Sequence, residues 1–138
     1  LEAHEADMGI LLEASPDDPH YNNTLGYTLL VMSDRLDEAQ KLINKAFTAK
    51  PDDPYILDSQ GWLEYKLGKP ERALEFLLMA FSRDRDAEIA AHIGEVYWVM
   101  GNQEKAREDW KMGQKIDAQN LSLIKTMERF LQQDSPVE

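Results

Sequence analysis

Apolar residues recur every three or four positions along nearly the whole chain, and glycine, proline and aspartate interrupt that rhythm at short intervals. In LDSQGWLEYKLG the recurrence runs up to Gly68, where glycine marks a helix stop. PERALEFLLMAF then opens with Pro70 in a first helical turn and carries Leu74, Leu77, Leu78 and Phe81 along one side. The same order of helix, short turn and helix fits 19–33 with 35–49 and 86–100 with 103–116. No segment alternates apolar and polar residues with the period of two that a half-buried strand requires. The pattern predicts an all-α chain of helix pairs.

The pairs repeat in register. Pro16-Asp17-Asp18-Pro19 returns as Pro51-Asp52-Asp53-Pro54, thirty-five residues later, and each copy is followed by an aromatic residue and then by glycine. Gly26, Gly61 and Gly94 are spaced 35 and 33 apart; Ala39, Ala73 and Ala106 follow at 34 and 33, as do Ala46, Ala80 and Gly113. Three series of small residues drifting together around 34 mark a repeat rather than a chance turn. Helices approach to about 8–10 Å only where the side chains at the crossing are small. The series is therefore expected where the two helices of each pair cross. At the seams, proline closes one pair, aspartate caps the next helix, and Pro54 fits the first turn of that helix.

These marks resemble the tetratricopeptide repeat, whose 34-residue unit follows W-x-x-L-G-x-x-Y, then A-x-x-x-F, then P. Ile93, Gly94, Tyr97, Gly101, Ala106 and Trp110 carry the resemblance in the third unit. The first unit supplies Leu25, Gly26, Ala39, Ile43, Ala46 and Pro51, with one extra residue near Ser33-Asp34; the second supplies Gly61, Gly68, Ala73, Leu77 and Ala80. The resemblance implies a right-handed α-solenoid of antiparallel helix pairs, with repeats over 19–50, 53–84 and 86–117 inside one domain spanning 1–138. Residues 1–15 read as the second helix of a truncated unit. Residues 119–133 read as a capping helix, with Leu121, Ile124, Met127 and Leu131 at helical spacing. In the second unit Gln60 and Glu64 stand where the pattern asks for leucine and tyrosine. They are expected either to reach solvent or to partner each other one turn apart, since burial without hydrogen bonds is costly.

Charge narrows the partners. Fifteen basic residues against twenty-six acidic ones give a net charge of −11, and no basic stripe offsets it, which disfavours nucleic acid. No apolar run is long enough to span a bilayer. The absence of cysteine excludes disulfides and thiolate sites but leaves a cytoplasmic or periplasmic location equally open. The start at Leu1, without a methionine or a leader-like segment, reads as a piece of a longer protein.

Catalytic chemistry finds little support. His4, His20 and His92 form no H-E-x-x-H pair, and the acidic clusters lack the spacing of a calcium loop, so no metal or cofactor is expected. No G-x-S-x-G or P-loop occurs. The three histidines read as structural or exposed, and the chain as a non-enzyme.

In tetratricopeptide proteins the first helix of each pair lines the inner face of the superhelix, where ligands usually lie. Carried onto this sequence, that geometry implies a partner-binding groove made of Asn23, Tyr27, Tyr55, Asp58, Trp62, Tyr65, Lys66, Glu95 and Trp98, an aromatic strip edged with acid. Trp62 and Tyr65 are expected to be exposed there as anchors, while Trp98 fits groove and core alike. Some members of the family grip a C-terminal carboxylate with lysine, arginine and asparagine. Here Lys66 stands among Asp58, Glu88 and Glu95, so the expected partner is a protein or peptide that is apolar or basic rather than acid-ended. LGYTL, LDSQGWLEYKLG and AAHIGEVYWVMG further resemble the closing repeats of long proteobacterial tetratricopeptide proteins, some of them lipoproteins and some adaptors. The implied function is a scaffold or adaptor module; the alternatives are self-association as a structural spacer and a regulatory part of a larger enzyme.

Overall fold

The computed structural model describes residues 17–133, and the helix expected over 1–15 and the tail from Asp134 lie outside the described residues. Among the described residues the chain forms seven α-helices and no strand: α1 (Pro19–Met32), α2 (Leu36–Ala49), α3 (Pro54–Lys66), α4 (Pro70–Arg83), α5 (Ala87–Val99), α6 (Gln103–Asp117) and α7 (Leu121–Gln133). They pack as the pairs α1/α2, α3/α4 and α5/α6, each pair stacked on the next, and α7 lies mainly against α5.

The two aspartates at each seam divide their work. The second caps the helix: Asp18 accepts from the backbone N–H of His20 (2.9 Å) and Tyr21 (3.3 Å), and Asp53 from Tyr55 (2.9 Å) and Ile56 (3.1 Å). Asp86 does the same for Glu88 and Ile89 at the third seam, where the prolines are gone. Each cap satisfies N–H groups that the helix itself cannot pair, worth roughly 1 kcal/mol. At the first two seams the first aspartate instead meets the second helix of its own unit, Asp17 with Lys45 (3.1 Å) and Asp52 with Arg83 (3.2 Å). Those pairs are exposed and add little stability, but they close each of these two units on itself.

Inside a pair, the turn is set by glycine where the sequence supplies one. Gly68 (φ +82°) and Gly101 (φ +92°) take the left-handed conformation that ends α3 and α5, and the next residue's N–H reaches back to Glu64 O and Tyr97 O. The first unit has no such glycine. Its longer turn is closed by Ser33, whose N–H and Oγ both bond Leu29 O.

The crossings are made where the small residues recur. Ala39, Ile43 and Ala46 of α2, Ala73, Leu77 and Ala80 of α4, and Ala106 and Trp110 of α6 are all fully buried. Opposite them stand Gly26, Gly61 and Gly94, whose absent side chains leave room for Ile43, Leu77 and Trp110. One core runs through the first two units into α5, and a second lies beneath α7, around Trp110 and Leu123.

The face presented by α7 differs from expectation. Leu123 is its buried residue, seated close to Gly113, with Met127, Phe130 and Leu131 packed around it, whereas Leu121 is 61% exposed. Trp110 explains the rotation: its ring packs against Phe130 and Trp98, which also meet each other, so the three rings form one cluster.

Gln60 and Glu64 are also buried rather than turned to solvent. Gln60 Nε2 lies 3.4 Å from Glu64 Oε1, which also meets Arg72 Nε at 3.2 Å.

Candidate functional site

Two adjoining pockets lie on the face formed by α1, α3 and α5; the second helices α2, α4 and α6 contribute no lining residue to either. The first, about 170 Å³, is lined by Asn23, Thr24, Tyr27, Thr28, Tyr55, Asp58, Ser59 and Glu88. The second, about 260 Å³, is lined by Tyr27, Val31, Trp62, His92 and Glu95, and by Ser122, Lys125, Thr126 and Arg129 of α7. Tyr27 is the wall they share. The last helix, α7, therefore lines one side of the second pocket, a position that its sequence alone does not disclose.

The wall between and behind the pockets is a polar network that ties three units together. His92 Nδ1 bonds Asp58 Oδ1 at 2.8 Å, both residues being buried, and Tyr27 Oη stands 3.3 Å from His92 Nε2. The indole of Trp62 stacks on the imidazole, centroids 4.2 Å apart and planes at 26°. One helix further on, Tyr65 donates its hydroxyl to Glu95 Oε2 (2.9 Å), and Arg129 meets Glu95 Oε1 at 2.6 Å.

Electrostatics follow from that geometry. Burial alone drives His92 toward the neutral form, but Asp58, by charge and hydrogen bond, with Glu88 and Glu95 behind it, outweighs burial and raises its pKa above the ordinary value. When His92 is protonated, both ring nitrogens can donate, Nδ1 to Asp58 and Nε2 to the phenol oxygen of Tyr27. Burial holds the Tyr27 and Tyr65 hydroxyls protonated, reinforced by the surrounding carboxylates. Burial also raises Glu88, helped by Asp58 and opposed by His92.

The residues expected in the groove divide into three groups. Asn23, Tyr27, Tyr55 and Asp58 meet in the first pocket, and Trp62 and Glu95 border the second. Trp62 is not the exposed anchor expected, since only 6% of it is accessible and its ring is spent against His92 and Tyr65. Tyr65 is half-buried and held by Glu95. Trp98 is partly buried against the core beneath α7, beside Trp110 and Phe130, and Lys66 lines another depression with Leu30, Val31, Ser33, Asp34 and Leu36. Neither lines the two pockets.

His92 and Arg129 carry contacts that sequence reasoning did not assign to them. For His92 a signal existed: it stands 33 residues after Ser59, itself 35 after Thr24, and both of those line the first pocket. Among the described residues no group of histidine, aspartate and glutamate side chains is arranged to hold a metal ion, and no helix is long and apolar enough to cross a membrane.

No protein-family model matches the chain. The TPR repeat-containing protein PA4667 of Pseudomonas aeruginosa is 45% identical over 91 residues, which is 66% of this chain and 15% of that protein. The chain thus spans about a seventh of the length of this relative. Among solved structures, TTC0263, a thermophilic TPR protein of Thermus thermophilus, superposes with a TM-score of 0.75 at 18% identity, over 92% of this chain and 71% of that one. MamA gives a TM-score of 0.69 at 17% identity, over 94% and 76%. Repeat spacing, helix-pair stacking and the match to PA4667 converge: the chain has the tetratricopeptide-repeat solenoid fold and is similar in sequence to a TPR repeat-containing protein.

Proposed function

We propose that the chain is a non-enzymatic protein-interaction module, a scaffold or adaptor fragment, that holds a segment of a partner protein in the groove formed by α1, α3, α5 and α7. Tetratricopeptide repeats are typically interaction modules, which supports the general class. The observation that carries the reading here is the Tyr27–His92–Asp58 network. It fixes groove-facing side chains from three units in one arrangement without consuming the pockets beside it. A site so pre-organised loses little conformational entropy on binding. The lining of the first pocket carries carboxylates, hydroxyls and an amide but no cation, and it favours a basic or apolar segment over an acid-ended one.

The test is selection of peptides from a random display library against the folded domain, followed by mapping of their contacts by amide chemical shifts. Selected peptides should be net basic, shift residues of α1, α3 and α5, and lose binding on Tyr27→Ala. Peptides that map only to α2, α4 and α6 would overturn the reading. So would a domain that selects no peptide and sediments as a self-associated species, which is the spacer alternative.

A further inference from the structure

Resting on that reading, we infer that the first pocket is a seat for a single arginine side chain of the partner segment. Every polar side chain lining it can accept a hydrogen bond, and the lining contains no lysine, arginine or histidine. Glu88 supplies a half-buried carboxylate. Asp58 supplies a second, anchored through Oδ1 to His92.

A second observation is independent of the carboxylates. Asn23 lines the same pocket, is nine-tenths buried, and its Oδ1 finds no hydrogen-bond donor among the described residues. Buried polar atoms are nearly always paired, so an unpaired acceptor just behind a pocket wall is one that a donor seated there can satisfy after a small turn of the amide.

The walls select among donors. Tyr27 and Tyr55 both line the pocket, and the Tyr55 ring, although half exposed, is tethered by its hydroxyl to Asp84 Oδ2 at 2.8 Å. A planar guanidinium can stack on a tyrosine face while its several N–H groups reach separate acceptors, whereas an ammonium is a compact point charge. Around the mouth, Asp53, Asp84 and Asp86 all act on the Tyr55 hydroxyl, so the approach carries the same sign as the seat. Opposite charge on the partner would speed its encounter with this face.

The probe is N-acetyl-L-arginine N-methylamide, titrated into the isotopically labelled domain, with the matching lysine, citrulline and glutamate amides as comparisons. The arginine amide should produce saturable shifts at the Asn23 side-chain amide and the backbone amides of Thr24 and Glu88. Citrulline, which keeps the shape without the charge, and glutamate should produce none, and lysine should bind more weakly. Loss of one charge-assisted contact in Glu88→Gln should weaken arginine by roughly tenfold or more, while Glu104→Gln on α6 should not change it. Retained dispersion in the spectra of Glu88→Gln shows that the variant is folded. Equal shifts from citrulline, full affinity in folded Glu88→Gln, or no saturable shift from arginine would each overturn the seat. If display-selected peptides still map to the groove in that event, the module reading stands and only the arginine assignment falls.

Discussion

A side chain on Gly94 would place its Cβ 2.1 Å from Nε1 of Trp110. The indole fills the space a side chain at 94 would need, and its N–H donates to Ala91 O at 3.2 Å inside the helix pair. Gly94→Ala should therefore destabilise despite the better helix propensity of alanine, which is worth about 1 kcal/mol. The overpacking cost is on the order of 1–3 kcal/mol and rises for Gly94→Leu. At Gly26 the corresponding contact is 2.7 Å to Ile43 Cγ1, a smaller overlap. Urea unfolding should rank Gly94→Ala as more damaging than Gly26→Ala; a Gly94→Leu protein that melts like the parent would contradict the account.

Residues of this kind were legible in the sequence because they are bound to the repeat. Gly26, Gly61 and Gly94 are fixed by a crossing that every unit must make, and Asp18, Asp53 and Asp86 by a helix start that every unit must have. Contacts made once were not legible. In α7, Leu121, Leu123, Ile124, Met127, Phe130 and Leu131 spread over much of the helix surface. Periodicity therefore does not choose between Leu121 and Leu123; Gly113 and Trp110 do. Trp62 and Trp98 looked alike as large aromatics on first helices, yet one closes on His92 and the other on Trp110, two partners that no repeat rule supplies. The buried Asp58–His92 pair joins residues 34 apart, which spacing reveals only after the fold is known.

That pair makes stability depend on pH. His92 is raised above its ordinary 6.5, with Asp58 facing it from α3, Tyr27 from α1, Glu88 and Glu95 from its own helix, and the Trp62 ring stacked upon it. Its contribution is complete below that ordinary value and is lost as pH rises through the higher value of the folded state. Glu88, also raised, acts with the same sign in the more acid range, because the folded state again holds its proton longer than the unfolded chain. Urea midpoints measured across pH should fall from the ordinary histidine range upward, and His92→Gln should flatten that fall. Parallel profiles for the two proteins would remove His92 as the cause.

Trp62 and Tyr55, both expected in the groove, should behave differently when truncated. Trp62 is 6% exposed, stacked on His92 and tilted against Tyr65, so Trp62→Ala should cost about 3–5 kcal/mol of stability, as for other buried aromatics. Tyr55 is 54% exposed, and Tyr55→Ala should stay within about 1 kcal/mol of the parent. Loss of peptide binding in Tyr55→Ala with the melting curve unchanged would therefore report on the groove, whereas loss in Trp62→Ala would report mainly on the fold. Thermal melts of the two variants side by side decide the point; an unaltered Trp62→Ala melt would mean that the ring is not part of the core.

The second unit carries a cost that substitution should relieve. Gln60 is 5% and Glu64 6% exposed, joined by one long hydrogen bond, and Gln60 Oε1 and Glu64 Oε2 find no partner among the described residues. Arg72 does meet Glu64, but its own side chain is more than half exposed, so solvent screens the pair. Removing one member alone leaves the other's polar atoms buried, and Gln60→Leu should be close to neutral. Replacing both, Gln60→Leu with Glu64→Tyr, removes the two open acceptors and buries apolar surface in their place. Arg72 is left with access to water. Replacing two buried polar partners together is neutral to stabilising in general, and here a gain of about 1 kcal/mol or more is expected. Denaturant unfolding of the parent, both single variants and the double variant forms a complete cycle. A double variant less stable than either single would show that these two polar groups support the unit rather than strain it.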